Sequence, residues 1–251
     1  MIRAPRRGSA AHAARGGSDV TGTLGSSAAK GVEGRIGVER AGEVSTLLLR
    51  PERAGALYVL AHGAGAGMRH PFMEAIARRL AGHGIGTLRY QFPYTEQGGR
   101  RPDPEPILLA TVRAAVAAGR NAAGGLPVLA GGKSMGGRMT SRAAAAEPLE
   151  GVTGLVFLGF PLHPPGQPGV SRAEHLARVS VPMLFLQGTR DTLADLGLLA
   201  PVVERLGERA TLRVIEHADH SFHVLKKTGR TDEQVLDELV RTVAEWREAR
   251  T

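Results

Sequence analysis

The chain contains no cysteine. That excludes a disulfide framework, a cysteine nucleophile and a thiolate metal site. It fits a reducing compartment, and a cytoplasmic location is expected. Aromatic residues make up only 4% of the sequence, with a single tryptophan, too few for a base-stacking platform. Long apolar runs are also missing. Gly154-Leu155-Val156-Phe157-Leu158-Gly159 is the length of a core strand, far short of the roughly 18 residues a membrane span needs. The N-terminus lacks the apolar stretch of a secretory signal.

Acidic residues are the minority, 24 against 32 basic ones, for a formal net charge of +8. The excess does not mark a nucleic-acid surface. Residues 1–30 hold Arg3, Arg6, Arg7, Arg15 and Lys30 against Asp19, a net +4 in a Gly/Ala/Ser-rich segment. Elsewhere the two signs are interspersed, as on an ordinary solvated surface, so no nucleic-acid partner is expected. Lysine is scarce too, 4 against 28 arginines, a bias of the kind GC-rich coding imposes. Residues 1–40 are expected to form a disordered basic extension and residues 41–251 a single domain.

Hydrophobic residues reach 42%, ample for a core. From about residue 44 the pattern is periodic. Ser45–Leu49 reads as a strand paired in a hairpin with Ile36–Val38. Ala56–Ala61, Gly86–Phe92, Leu126–Gly131, Val152–Phe160, Val181–Leu186 and Thr211–Ile215 read as buried strands. Helices are expected from Pro71, around Leu108–Val116, over Met135–Ala146 and over Leu193–Leu206. A last helix starts at a Thr231/Gln234 capping box, with Leu236, Leu239, Val240, Val243 and Trp246 as its apolar stripe. Tyr94–Pro106 reads as a long polar loop. Alternating strands and helices predict an α/β fold: a three-layer α/β/α sandwich on a mostly parallel, doubly wound sheet.

Between a predicted strand and a predicted helix stands Gly132-Lys133-Ser134-Met135-Gly136, a G-x-S-x-G pattern. Composition alone would supply roughly 0.2 such matches, so the surroundings must carry the argument. The pattern describes a sharp strand-to-helix turn that lifts the serine hydroxyl out of the sheet edge. A serine needs a base, and the base an orienting carboxylate. Asp191 follows the strand Val181–Leu186 and is the candidate acid; Asp195 is its rival, expected inside a helix and facing solvent. His220, just past the last strand, is the favoured base, with His217 and His223 as rivals. The backbone N–H groups of Met135 and Ala64 are the candidate oxyanion donors, the latter in the loop His62–Gly67. Lys133, Arg138, Arg100 and Arg101 would favour an anionic substrate if they faced it, but the ordinary reading of such residues is solvated surface.

Leu60–Gly65, Arg89–Tyr94, Gly132–Met139, Phe160–Gly166, Gln187–Asp191 and Ala218–Phe222, taken in order, carry a resemblance. The chain resembles the α/β-hydrolases, in the small, nearly capless dienelactone-hydrolase-like group. The branch it most resembles contains the testis-expressed-protein-thirty-like and NSL-complex-subunit-three-like domains. The resemblance implies Ser134 as nucleophile, Asp191 as acid and His220 as base, with no metal or organic cofactor. His217 is a departure, since such proteins often carry a small residue there. The implied activity is hydrolysis of a small ester or thioester. Acyl transfer, peptide hydrolysis and a non-catalytic interaction role on the same fold are the alternatives. The short segment His163–Val170 implies a minimal cap and a shallow, open site.

Overall fold

The structure, a computed structural model, describes residues 31–250. The expected extension therefore lies outside the described residues over 1–30. Its last part does not: Val32–Val38 is strand β1, paired antiparallel with β2 (Gly42–Leu49). The hairpin is longer than Ile36–Val38 suggested, because the pairing runs on to Val32 opposite Leu48.

The remaining strands are β3 (Ala56–Ala61), β4 (Ile85–Tyr90), β5 (Val128–Lys133), β6 (Val152–Leu158), β7 (Met183–Gly188) and β8 (Ala210–Ile215). They form one eight-stranded sheet in the order β1-β2-β4-β3-β5-β6-β7-β8. Only the β1–β2 and β2–β4 pairs are antiparallel, so β2 alone runs against the others among the described strands. All six residues of β3 are buried, as a central strand covered on both faces requires.

One face is covered by α1 (Pro71–Gly82) and the C-terminal helix, the other by three helices that follow β4, β5 and β7. A short helix α2 (Pro93–Glu96) precedes α3 (Glu105–Ala123), so the expected loop Tyr94–Pro106 is partly helical; Pro93 at its first position sets that turn. Helix α4 (Met135–Ala146) matches its expected range. Helix α5 (Leu196–Leu206) starts later than expected, because Asp195 caps it by accepting the Gly197 N–H at 2.7 Å. Asp195 is thus a cap and not a residue inside the helix. Helix α6 (Asp232–Glu248) opens on the complete Thr231/Gln234 capping box. Its buried stripe is Val235, Leu239, Val240, Val243 and Trp246, with Leu236 only partly buried.

Parallel pairing lines up the strand ends. Ala61 stands opposite Gly132, Lys133 opposite Leu158, Leu158 opposite Leu186, and Gly188 opposite Ile215. After β4 the chain crosses back over β3 to form β5, so the strand order reverses there. Ligand sites of open α/β sheets gather outside the carboxyl ends of strands at such a reversal. Behind that edge, Phe157, Phe160 and Phe185 pack with ring centroids 4.7–5.7 Å apart. Each such pair adds roughly 0.5–1.5 kcal/mol to simple burial.

Candidate active site

Ser134 sits between β5 and α4 at φ 50° and ψ −117°, a conformation a serine adopts only under constraint. Two close approaches impose it. A methyl group on Gly132 would fall 2.1 Å from the Ala61 carbonyl oxygen, at φ 148°. One on Gly136 would fall 2.5 Å from the His62 carbonyl oxygen. Glycine at both positions lets β5 and the first turn of α4 press against the end of β3. The Ser134 N–H is held by the Leu158 carbonyl at 3.2 Å. The hydroxyl is left aimed outward.

His220 reaches it. Its Nε2 lies 2.8 Å from Ser134 Oγ and its Nδ1 2.7 Å from Asp191 Oδ2. A carboxylate only accepts, so Nδ1 carries the ring proton and Nε2 is free to accept from the hydroxyl. The Asp191 side chain is 0% exposed and the His220 side chain 22%. Asp191 is nonetheless fully partnered: Oδ1 accepts the Leu193 N–H at 2.8 Å, and Oδ2 accepts from Gln187 Nε2 as well as from His220.

The rival histidines do not approach the serine. His223 is exposed and pairs with Asp232 at 2.9 Å, which raises its pKa. His217 is exposed at the outer edge of the same loop. The loop is pinned by Asp219, whose Oδ1 accepts the N–H groups of Ser221 and His223 at 2.8 and 3.0 Å. Phe222, buried at φ 65°, stacks on Phe72 with centroids 5.9 Å apart.

Three further residues, Gln187, Lys133 and His62, hold the constellation in place, and sequence reasoning assigned none of them this positioning role. Gln187 is wholly buried at the end of β7. Its Oε1 accepts the Phe160 N–H at 2.9 Å, which leaves its amide nitrogen to face Asp191. A lone polar residue in an otherwise apolar buried strand was the available signal. Lys133, expected at the solvated surface, instead donates from Nζ to the His220 carbonyl at 2.6 Å and lies 5.5 Å from the Phe222 ring centroid. Burial lowers its pKa to about 8, against the opposing fields of Asp191 and Asp219. His62 is 0% exposed, and burial lowers its pKa to about 4. Its Nε2 accepts the Phe92 N–H at 3.2 Å, so Nδ1 donates to the Gly63 carbonyl at 2.8 Å. That carbonyl also closes a turn by accepting the Ala66 N–H at 3.2 Å.

This turn presents Ala64 beside the serine. A methyl on Gly63 would stand 3.6 Å from Ser134 Cβ, in ordinary contact. Ala64, Ser134 and Met135 share the lining of one open cleft of about 400 Å³ with Leu108, Met139, Pro161 and Leu193. Met135 opens α4, where unpaired N–H groups and the helix dipole favour negative charge. Arg138 and Arg172 also line the cleft, whereas Arg100 and Arg101 are exposed outside it. No lid is inserted among the described residues: after β6 the chain passes through 163–170 into a short 3-10 turn, Ser171–Arg178. Among the described residues no three His, Asp or Glu side chains cluster as a metal site would need. No helix there is long and apolar enough to cross a membrane.

A second serine–histidine contact, Ser141 Oγ to His175 Nε2 at 2.7 Å, is buried between α4 and the 3-10 turn. His175 Nδ1 has no partner, so no carboxylate orients it, and burial lowers its pKa to about 4. This pair fastens two elements together and does not line the cleft.

Comparison with known proteins agrees with this architecture. Dienelactone hydrolase from Anabaena variabilis superposes with a TM-score of 0.67 at 22% identity, over 87% of this chain and 97% of that one. An α/β serine hydrolase without a lid from Xanthomonas campestris gives 0.65 at 22%, over 85% and 94%. The esterase domain of a Rhodothermus marinus protein gives 0.65 at 15%, over 86% and 97%. At these identities the likeness speaks to the fold. The family model described as Alpha/beta hydrolase domain matches residues 54–248, from the start of the central strands to the last turn of α6. The chain belongs to the α/β-hydrolase family.

Proposed function

We propose that the protein is a serine hydrolase that cleaves a small carboxylic ester or thioester through Ser134, His220 and Asp191. One observation carries this reading: the unbroken hydrogen-bond line from Ser134 Oγ through His220 to buried Asp191, at 2.8 and 2.7 Å. His220 Nε2 takes the hydroxyl proton as Oγ attacks the acyl carbon. Asp191 holds Nδ1–H and stabilises the imidazolium that results. The Met135 and Ala64 N–H groups receive the oxyanion, and each such donor is worth about 3–4 kcal/mol of barrier. His220 then passes its proton to the departing alkoxide or thiolate, which leaves as alcohol or thiol. Water attacks the acyl-enzyme with His220 as base, the acid departs, and Ser134 regains its proton.

The branch named above, with the testis-expressed-protein-thirty-like and NSL-complex-subunit-three-like domains, the single-domain reading and a cytoplasmic location belong to the same proposal. They are supported respectively by the quoted motifs, by the one continuous sheet and by the lack of cysteine. A fluorophosphonate probe tests the reading. The folded protein should label at Ser134, and Ser134→Ala and His220→Ala should not label. A folded wild type that takes up no probe and hydrolyses none of a panel of p-nitrophenyl esters would end it.

A further inference from the structure

Two arginines share the cleft with Ser134, and neither guanidinium has a partner among the described residues. Arg138 follows one helical turn after Ser134, its N–H bonded to the Ser134 carbonyl at 3.1 Å, so the two residues share a face of α4. Arg172 lies on the 3-10 turn that His175 fastens to α4 through Ser141 at 2.7 Å. Both side chains line the cleft, and both residues are half-buried. Among the described residues, no hydrogen bond or ion pair engages either guanidinium. The carboxylates at the same cleft are engaged elsewhere: Glu105 pairs with Arg142 at 2.5 Å, and Asp103 accepts the Tyr94 N–H at 2.9 Å. Burial lowers the Arg138 pKa, and the charges of Arg172 and Arg142 add to this against the opposing field of Glu105.

Guanidinium groups drawn partly out of water without an acceptor are costly, and two facing one cavity repel each other. An oxyanion between them offsets both costs, and the planar fork of arginine matches carboxylate and phosphate alike. The side of the cleft assigns the group. His220 must hand its proton to the leaving group, which therefore departs on the His220 side. His220 is not among the residues lining this cleft. The cleft thus receives the acyl part.

We propose that the cleft is an acyl subsite for an ester or thioester whose acyl chain carries a terminal oxyanion, held between Arg138 and Arg172. This rests on the serine-hydrolase reading. The test compares three p-nitrophenyl esters: the glutarate half-ester (carboxylate), the 4-phosphonooxybutanoate (phosphate) and the neutral pentanoate. Wild type should show a kcat/KM for at least one anionic ester about tenfold above the pentanoate, the scale of half-exposed charge pairs. The better arm identifies the oxyanion. The ratio should fall toward one in Arg138→Met, Arg172→Met and the double variant, and in high salt. Arg241→Met, on α6, should keep the wild-type ratio. If Arg138→Met fails to fold, Arg172→Met, on the short 3-10 turn, carries the test alone. A wild type that hydrolyses the pentanoate with no preference for either anion overturns the subsite and leaves the hydrolase reading standing. So does a preference that survives in the arginine variants. A protein that takes up fluorophosphonate but cleaves none of the three esters also counts against the subsite. One that does neither overturns both readings.

Discussion

Gln187 gives the sharpest test of how the acid is held. Replacing it with Ala orphans the buried Phe160 N–H, at about 1–3 kcal/mol, and removes one donor to the Asp191 carboxylate, at about 1.5–3 kcal/mol. A water entering the vacated space recovers part of this, leaving a net loss of about 3 kcal/mol. For a chain of this size that is a fall in Tm of about 6–12 °C. Asp191 keeps its bonds to Leu193 and His220, so activity should drop about tenfold and not vanish. Gln187→Glu is more telling, because it is isosteric. Ionised, the new carboxylate would face Asp191 with no donor between them. The folded state therefore raises its pKa above the unfolded value of about 4.3. Below that unfolded value both states are protonated, the acid mimics the amide, and the penalty vanishes. As pH rises above it, the unfolded state releases the proton first and the penalty grows until the folded group also ionises. Thermal denaturation followed by circular dichroism should therefore show the gap to wild type widening from pH 5 to pH 8. A gap that stays constant across this range, or a Gln187→Glu variant as stable as wild type at pH 8, would refute the assignment.

Lys133→Met should fold and, under the proposed function, turn over p-nitrophenyl esters about tenfold more slowly, because the His220 carbonyl loses its anchor. The Lys133 pKa is lowered to about 8, so its burden on the fold is present below pH 8 and is relieved as pH rises toward its unfolded value near 10.4. Wild type should gain stability relative to Lys133→Met over that window, as read by urea midpoints. Gly136→Ala should lose most activity and several degrees of Tm, since its methyl would enter the His62 carbonyl; wild-type kinetics in this variant would contradict the elbow geometry. His62 and His175 are buried with pKa values lowered to about 4. Their unfolded forms take up protons near pH 6.5 first, so stability should fall as pH drops from about 6.5 to 4, by roughly 3 kcal/mol each at most. His175→Gln should flatten that acid limb, and an unchanged limb would count against a buried neutral His175.

The motif residues were legible because their signals are local. Ser134 is marked by two glycines within two positions, Asp191 and His220 by following buried strands, and α6 by its capping box. Strand and helix types came from apolar periodicity, which records burial directly. The boundaries moved where a single residue's chemistry overrode the pattern. Asp195 capped α5 late, and Pro93 turned the start of a loop into a helical turn.

What holds the constellation was not legible, because it depends on contacts between distant parts of the chain. Lys133 meets the His220 carbonyl across 87 positions, and Gln187 joins the Phe160 N–H to Asp191. No local pattern distinguishes a lysine that stabilises a loop from one in solvent. Sequence favoured His220 over His217 and His223, three positions to either side of it, by its place past the strand and by the resemblance, but it could not show which ring faces the serine. The tertiary structure decides, because only the loop pinned by Asp219 and Phe222 turns one of the three rings toward Ser134. The sequence by itself determined which residue types stand at which strand ends. Parallel pairing of β3, β5, β6, β7 and β8 determined that those ends meet. Register is a property of the whole sheet, and only the folded sheet brings a hydroxyl, an imidazole and a carboxylate within hydrogen-bond reach of one another.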